Sequence, residues 1–537
     1  MSPIASSTTR SYDFVGFGDE VPGILALVCA AREYRARVGS YPRSLLIFKQ
    51  SSLEGIGGHL VRGKLAYLDR CQAGQAGQLA GVGLFGDPPA IYKEFLRRSG
   101  VNEKTGIALD PLRANVTLDQ MRREAGIDIL SAVEIQSVLV QDQKINGIEL
   151  TNGETYLGRQ FIDATVNAEL AQAAGVKKLN GFEVLGLPES ELCVTLAFET
   201  VGLSWRSLKA IESQYLNRFT NLADTTAQNW LKIAAGSDSA LLQQLRADLV
   251  DEQGRLKTMS VGADYIDVRS SALSIAYHSF RGKKLSLQES GVILDKANIA
   301  ILASDRLVWN ALLFYVDAAQ VETLSYAGAK PTPGMQAEMA YLERWLKSLG
   351  ATAVKPATEL YIRHSGNVKS AVDPLSGARM LKGGVPASEA LGTFSYWFDV
   401  RGGIKGFGER AAAQGITNTQ FKRPLFNIGI HHALVQDVAN LAILGPASGF
   451  AGYGCTAGRI VEFNVAVGQG IGIACCLALL SGKNLAAISN TEVRAVLTRM
   501  GQLPKIYGTS DSIEANRMAD FEQKMSYVDV EAFPPVG

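Results

Sequence analysis

The chain has 537 residues, of which 47% are hydrophobic and 20% are charged, and its formal net charge is +1. This length predicts about two domains, and this composition excludes disordered and fibrous proteins. Because the net charge is close to zero, we expect small-molecule substrates as partners, with no nucleic acid and no membrane.

The cysteines predict a reduced chain. All six are scattered without C-x-x-C spacing, and the start MSPIASSTTR lacks the apolar core of a signal peptide. We therefore expect a cytoplasmic protein without a metal site. The longest apolar tract, VAVGQGIGIACCLALL, is shorter than the roughly 20 residues that span a bilayer, so we predict a buried helix there.

The first element in chain order is a βαβ unit between about residues 13 and 48. A strand FVGF is followed by a helix ILALVCAAREYRA and a second strand SLLIF. Between strand and helix lie Gly16, Gly18 and Gly23. They resemble the phosphate-binding pattern G-x-G-x-x-G, except that four residues instead of two separate the last two glycines.

This turn has features for and against a nucleotide site. Free amides at a helix start hold a pyrophosphate, whereas the carboxylates of Asp19 and Glu20 oppose one unless they turn outward. The second strand ends at Phe48 and Lys49, where an acidic residue is expected to bind the adenosine ribose. Glu54 is the nearest substitute.

The rest of the chain alternates between regular and irregular patterns. Residues 134–164 predict a three-stranded antiparallel meander that ends at Asp163. Residues 181–425 have irregular strands and one amphipathic helix that ends before Gly350. From about residue 426 the chain is apolar again, with a helix predicted from about Glu462.

Several segments, taken in order, resemble the FAD-dependent oxidoreductase family with a glutathione-reductase-like FAD-binding domain. They are the glycine turn, GIGGHL, FIDATVNAELAQAAGV, ANLAILGPAS and CTAGRIVEFNVAVGQGIGIA. The resemblance implies an α/β fold: an FAD-binding Rossmann domain with a β-meander, plus a mixed α+β substrate domain. The implied division is 1–180 and 426–510 for the FAD-binding domain, 181–425 for the substrate domain and 511–537 for a C-terminal tail.

The resemblance also implies where an extended FAD lies. The pyrophosphate meets the first glycine turn, the ribityl chain passes the second, and the amides of a later glycine-rich helix point at the flavin. Val166 and Ala168 stand where the family has glycines. The implied cofactor-binding residues are Gly16, Gly18, Gly23, Lys49, Glu54, Gly57, Gly58, His59, Ile135, Thr165, Gly445, Pro446, Arg459, Gly468, Gln469 and Gly472.

Four residues are candidates for catalysis or substrate orientation. Flavin oxidation of a C–H bond usually needs a group that collects a proton, and His432, before the flavin-proximal strand, is a candidate. Arg363 and His364 resemble part of a family segment R-E-S-R. Arg363 either clamps an anionic substrate or pairs with a carboxylate. Tyr396 is a pocket candidate, and for each residue a structural role is the alternative.

The resemblance therefore implies an FAD-dependent dehydrogenase or oxidase that removes two electrons, as a hydride, from a small organic substrate. A flavin-dependent monooxygenase is one alternative. A flavoprotein-like binding or assembly protein with a degenerate cofactor site is another, indicated by the lengthened turn and the missing ribose acid. Substrate, electron acceptor, covalent attachment of FAD and oligomeric state stay open.

Overall fold

The computed structural model describes residues 9–76 and 82–526, so residues 527–537 of the predicted tail lie outside the described residues. The described strands are β1 (Thr9–Phe17), β2 (Ser44–Phe48), β3 (Ile127–Ser131), β4 (Ile135–Gln141), β5 (Lys144–Leu150), β6 (Thr155–Asp163), β7 (Val194–Val201), β8 (Ser260–Val261), β9 (Tyr265–Asp267), β10 (Val292–Ala303), β11 (Arg306–Phe314), β12 (Ala353–Pro356), β13 (Leu375–Ser376), β14 (Thr393–Phe394), β15 (Phe426–Asn427), β16 (Leu441–Ile443) and β17 (Phe450–Ala451).

The described helices are α1 (Val21–Val38), α2 (Gly58–Val61), α3 (Ala90–Arg98), α4 (Pro111–Glu124), α5 (Glu169–Ala173), α6 (Trp205–Thr220), α7 (Thr225–Ala235), α8 (Ser239–Ala247), α9 (Ala272–Arg281), α10 (Leu287–Ser290), α11 (Ala318–Tyr326), α12 (Pro333–Ser348), α13 (Gly377–Leu381), α14 (Phe407–Ala413), α15 (Cys455–Gly458), α16 (Val461–Ser481), α17 (Asn490–Arg499) and α18 (Ser512–Ser526). Short 3₁₀-helices occur at Ser52–Glu54, Ala73–Ala76, Glu183–Leu185, His431–Ala433 and Leu485–Ala487.

The first sheet is the mixed sheet that the sequence predicts. Its strands follow the order β3-β2-β1-β6-β5-β4, and β16 pairs with the end of β6. Strand β1 is parallel to β2 and to β6, so that Gly16 lies between Leu46 and Ile162. Strands β4, β5 and β6 form the antiparallel meander. The βαβ unit and the meander are therefore confirmed.

Two long helices, α1 and α16, pack closely on one another. A Cβ atom at Gly468 would lie 2.8 Å from the carbonyl oxygen of Pro22, and one at Gly472 would collide with the carbonyl of Ala26. Glycines four residues apart thus let the two backbones approach. Among the described residues, α16 alone has the length and hydropathy of a membrane span, but most of it is buried inside the protein, as in a core helix.

The second sheet lies within the predicted substrate domain. Its order is β12-β7-β11-β10-β9-β8, and the pairings are antiparallel. The predicted amphipathic helix is α12, which Thr332 caps by accepting a hydrogen bond from the Met335 amide. The structure therefore has the mixed α/β architecture expected, while the domain boundaries at 180, 425 and 510 stay predictions.

The segment predicted as a C-terminal tail contains a helix that the sequence analysis did not predict. From residue 512 to residue 526 the chain forms α18, which packs against α13. Its buried side chains recur three or four residues apart, which is the spacing of one helix face. These side chains are Ala515, Met518, Phe521 and Met525.

Candidate functional site

A narrow cleft opens at the carboxyl ends of the parallel strands. Gly18 follows β1, Lys49 follows β2 and Thr165 follows β6, and all three line it. Ligands of open parallel sheets bind at this edge, where neighbouring strands diverge. The cleft is therefore the candidate site.

The three glycines of the first turn are required by close packing, two of them against Ala164 after β6 and one against Leu27 of α1. Gly18 has a φ of +90°, and a Cβ atom there would lie 2.6 Å from the carbonyl carbon of Ala164. A Cβ atom at Gly23 would collide with the Ala164 side chain, and one at Gly16 would lie 2.6 Å from Leu27 Cδ1. The turn therefore brings the start of α1 to the edge of the cleft.

The Asp19 carboxylate is buried in front of α1, and it is paired. It accepts hydrogen bonds from Arg62 Nη1 and Nη2, at 2.5 and 2.7 Å, and from the Gly57 amide at 3.0 Å. Arg62 also donates to Glu359 Oε1 at 2.6 Å and to the carbonyl of Gly55 at 2.6 Å. This network ties the first glycine turn to the second.

Glu20 completes the same arrangement. Its Oε1 atom accepts a hydrogen bond from the His59 amide at 3.1 Å, and a Cβ atom at Gly58 would collide with its carboxylate. Burial, reinforced by the neighbouring Asp19 charge, raises the pKa of Glu20 well above its ordinary value. Gly58 is therefore needed because the Glu20 side chain lies against the second turn.

His59 is a neutral, buried side chain beneath these acids. Burial, together with the charges of Arg62 and Arg363, lowers its pKa to about 3. Its Nε2 atom accepts a hydrogen bond from the Ile362 amide at 3.3 Å, and its Nδ1 atom lies 3.5 Å from Glu20 Oε1. The contact with Glu20 is accordingly not an ion pair.

The position of the expected ribose acid is taken by Lys49. Its ammonium group pairs with Glu169 and donates to the carbonyl of Tyr326 at 3.1 Å. Burial raises the pKa of Glu169 to about 7 although Lys49 opposes this. Glu54 is exposed and does not line the cleft.

The turn after β6 is organised by Asp163. Its carboxylate accepts hydrogen bonds from the amide and the hydroxyl of Thr165 and from the amide of Ala171. Burial raises the pKa of Asp163 to about 6. Ala168 has a φ of +56°, the left-handed conformation that favours the glycine of the family pattern. The backbone at Ala168 is thus in a conformation that glycine adopts more readily than alanine.

A second cluster of polar groups lies at Arg363, which is 2% exposed. Its guanidinium donates to the carbonyl of Cys193 at 2.9 Å and to Asn310 Oδ1 at 3.5 Å, and it lies 4.5 Å from the ring centroid of Tyr361. No ion pair within the described ranges 9–76 and 82–526 includes Arg363. Burial lowers its pKa. The sequence left open whether Arg363 pairs with a carboxylate, and here its partners are neutral.

Two neighbours of this cluster have hydrogen-bond partners of their own, although Arg459 Nε is buried without one. Arg459 donates to Tyr361 Oη at 2.8 Å and to Asp399 Oδ2 at 2.7 Å. Tyr396 donates its hydroxyl to Asp69 Oδ1 at 2.8 Å, and burial with that negative charge raises the pKa of Tyr396 well above its ordinary value. Arg459 and Tyr396 thus share the region predicted for the reacting centre, but they do not line the cleft.

His364 is held on both sides by buried groups. Its Nδ1 atom lies 2.8 Å from Glu191 Oε1, and its Nε2 atom lies 2.9 Å from Asn367 Oδ1. Although burial lowers its pKa, Glu191 raises it well above the ordinary value. Asn367 in turn donates to the carbonyl of Pro446 at 2.8 Å. His364 therefore positions the loop after β16 and does not line the cleft.

The surroundings of His432 do not favour its predicted role of collecting a proton. The ring does not line the cleft and is buried between Phe450 and Phe463, with centroids 5.2 and 5.6 Å away. Burial lowers its pKa to about 3, which disfavours a base at neutral pH. These two aromatic partners could not be predicted from the sequence around His432.

That the N-terminal amides of the glycine-rich helix point at the flavin stays a prediction, but Gly468, Gln469 and Gly472 do not supply those amides. Helix α16 begins at Val461, so these residues lie inside the helix, where amides bond to the preceding turn. The glycines pack against α1 instead, and the Gln469 side chain accepts a hydrogen bond from the Ile91 amide. Sequence patterns do not separate glycines for helix packing from glycines for a ligand.

Gly445 and Ile135 are two further residues that were predicted to bind the cofactor. Gly445 has a φ of +110°, and a Cβ atom there would meet only the Thr165 carbonyl, at 4.0 Å. Its amide is held by Asn464 Oδ1 at 3.0 Å. There is accordingly open space beside Gly445. Ile135 begins the edge strand β4 and is not among the residues that line the cleft.

Comparison with known proteins decides the family. A family profile described as "FAD dependent oxidoreductase" matches residues 52–497, which is most of the chain. The chain belongs to the FAD-dependent oxidoreductase family. The match begins after β1, α1 and β2, so it does not include the first glycine turn. No curated protein sequence matches.

Solved structures are similar to this FAD-dependent oxidoreductase only at a distance. A geranylgeranyl bacteriochlorophyll reductase-like protein from Thermoplasma acidophilum is 10% identical, with a TM-score of 0.39 over 97% of this chain and 89% of its own. The L-proline dehydrogenase from P. horikoshii is 11% identical, with a TM-score of 0.34 over 92% and 100%. PqsL from P. aeruginosa is 13% identical, with a TM-score of 0.35 over 96% and 100%.

FAD is the cofactor of this family, but its diphosphate does not fit the cleft of this FAD-dependent oxidoreductase in the conformation described. Asp19 and Glu20 follow Gly18 of the first turn, where the diphosphate is expected, and they line the cleft. They also use donors of the second turn, because Asp19 holds the Gly57 amide and Glu20 holds the His59 amide. Arg62, a natural partner for phosphate, is held by Asp19 and Glu359. The sequence pointed to the acids, but it did not reveal Arg62 and Glu359 as their partners.

Proposed function

We propose that this chain oxidises a small organic substrate that carries an anionic group, removing two electrons. The family supports oxidoreductase chemistry, for which FAD supplies the two-electron acceptor when bound. The anionic group is suggested by Arg363. A buried guanidinium with neutral partners is costly unless an anion joins it, and a carboxylate suits its paired N–H groups.

The position of Arg363 supports a role in substrate orientation. The segment that contains it begins at Tyr361, which pairs with Thr195 in the second sheet. The same segment continues to Asn367, which holds the loop after β16 in the first sheet. An anion bound by Arg363 would therefore be fixed relative to both sheets, as a reacting substrate requires.

Replacement of Arg363 by methionine tests this proposal, with Arg401→Met as the matched control. Arg401 is also largely buried, but it pairs with Asp295 at 2.8 Å. We expect Arg401→Met to lose about 3 kcal/mol of stability, since it leaves a carboxylate unpaired. Arg363→Met should keep or raise the stability of the ligand-free chain, because it removes an unpaired buried charge.

The functional readout is anaerobic loss of flavin absorbance in FAD-supplemented protein treated with a panel of hydroxy acids and amino acids. We expect acids to reduce the wild-type sample, Arg363→Lys to retain part of the rate, and Arg363→Met to lose it. Equal rates in Arg363→Met and wild type, with a stability loss like that of Arg401→Met, would show that Arg363 is structural.

Small molecules are the partners that this proposal implies. We also propose a cytoplasmic location. The six free thiols of the described residues agree with a reducing compartment. Fractionation of cells that express the tagged chain checks this: recovery with the membrane or extracellular fraction would contradict it.

A further inference from the structure

We propose that Asp19 and Glu20 are an internal occupant of the diphosphate site, so that FAD binds only when their side chains are displaced. This acidic plug, Asp19 with Glu20, goes beyond the reaction proposed above and depends only on FAD being the cofactor of the family. The proposal explains the misfit of the diphosphate by two residues of this chain.

The plug lies at the first turn, where the resemblance places the diphosphate, and it occupies the donors of the second turn that face the same cleft. Carboxylate and phosphate oxygens both accept from backbone amides at a glycine turn and from the paired N–H groups of arginine. Asp19 takes two N–H groups of Arg62 and the amide of Gly57, and Glu20 takes the amide of His59. A bound diphosphate would therefore have to replace both carboxylates.

The plug lies in the part of the turn that is longer than a dinucleotide turn. Four residues separate Gly18 and Gly23, two more than in the spacing G-x-G-x-x-G, and the two acids are the first two of these four. Without the acids, residues 16–23 would read GFGVPG, which has the spacing of a dinucleotide turn. Removal of the plug would thus restore that spacing.

The charges around the cleft also disfavour a diphosphate that binds beside the plug. Glu359 shares Arg62 with Asp19, so one cation already serves two carboxylates. The other cation lining the cleft, Lys49, pairs with Glu169. A diphosphate that entered beside the plug would add negative charge where no unpaired cation lines the described cleft.

The test compares wild type with a variant that lacks Asp19 and Glu20, using equilibrium binding of FAD, ADP and riboflavin. We expect the deletion to tighten FAD and ADP binding by at least about tenfold, since it frees Arg62 and the amides. Riboflavin, which has no phosphate, should bind both proteins equally. A control for charge is the pair Asp142→Asn and Glu252→Gln, both at exposed turns, which should change nothing.

Circular dichroism and thermal unfolding establish that the deletion variant is folded. If it does not fold, the pair Asp19→Asn and Glu20→Gln, which keeps length and side-chain size, carries the test with an expected tightening of about threefold for FAD and ADP. Wild type that binds FAD as tightly as the folded variant, or a gain that is equal for riboflavin, overturns the proposal. Because no turnover is measured, a failure of the proposed oxidation would leave this result unaffected.

Discussion

Replacement of Asp163 by asparagine is expected to destabilise the turn that lines the cleft. Asp163 is fully buried, and its two oxygens accept from Thr165 on one side and from the Ala171 amide on the other. An amide has one accepting oxygen, so in either orientation its NH₂ group would face an N–H donor. One lost bond to a charged acceptor and one unsatisfied buried amide cost about 5 kcal/mol. Relief of the buried charge returns about 3 kcal/mol, because the pKa of Asp163 is raised from 3.8 to about 6, so a net loss of about 2 kcal/mol is predicted.

The assay is urea unfolding followed by tryptophan fluorescence at about pH 8, where the carboxyl is ionised because its pKa is raised only to about 6. Asp128→Asn is the matched control, because Asp128 is exposed on β3 of the same sheet. It should change the free energy of unfolding by less than about 0.5 kcal/mol. If Asp163→Asn unfolds at the same urea concentration as this control, the account of the turn is wrong.

Two other changes test packing and burial. Gly472→Ala should lower the free energy of unfolding by more than about 3 kcal/mol or prevent folding, because the added methyl collides with the Ala26 carbonyl. Gly482→Ala, at the end of the same helix, is the control: its methyl meets no atom, and it should lower that free energy by about 1 kcal/mol. Urea unfolding measures both. Burial raises the pKa of Glu212 to about 7, so wild-type stability should fall as pH rises from about 4.5 to above 7. Glu212→Gln should remove that part of the fall, and parallel stability curves for the two proteins would contradict this.

Much of the fold could be predicted because its signals are local. Strand β1 and helix α12 have the periodicity of their element type, and the meander turns at polar residues. Helix α18 was not predicted, because its apolar residues are spread over fifteen positions among charges. Helix α16 was predicted as buried, but the reason for its glycines is a contact with α1, more than 400 residues earlier in the chain.

The position of the candidate site could be predicted from the sequence better than its chemistry. The glycine turns and Thr165 do come together at one sheet edge, as parallel strands require. What fills the space there depends on Arg62 and Glu359, which are 297 positions apart in sequence and meet only in the fold. Likewise, nothing local to Arg363 shows that its partners are neutral.

The most direct test of the account is a crystal structure of the chain with FAD. We predict that the diphosphate takes the place of the Asp19 carboxylate on Arg62, and that Glu20 leaves the His59 amide. Bound FAD with the Asp19–Arg62 pair and the Glu20 contact intact would contradict the claim that these acids occupy the site of the diphosphate.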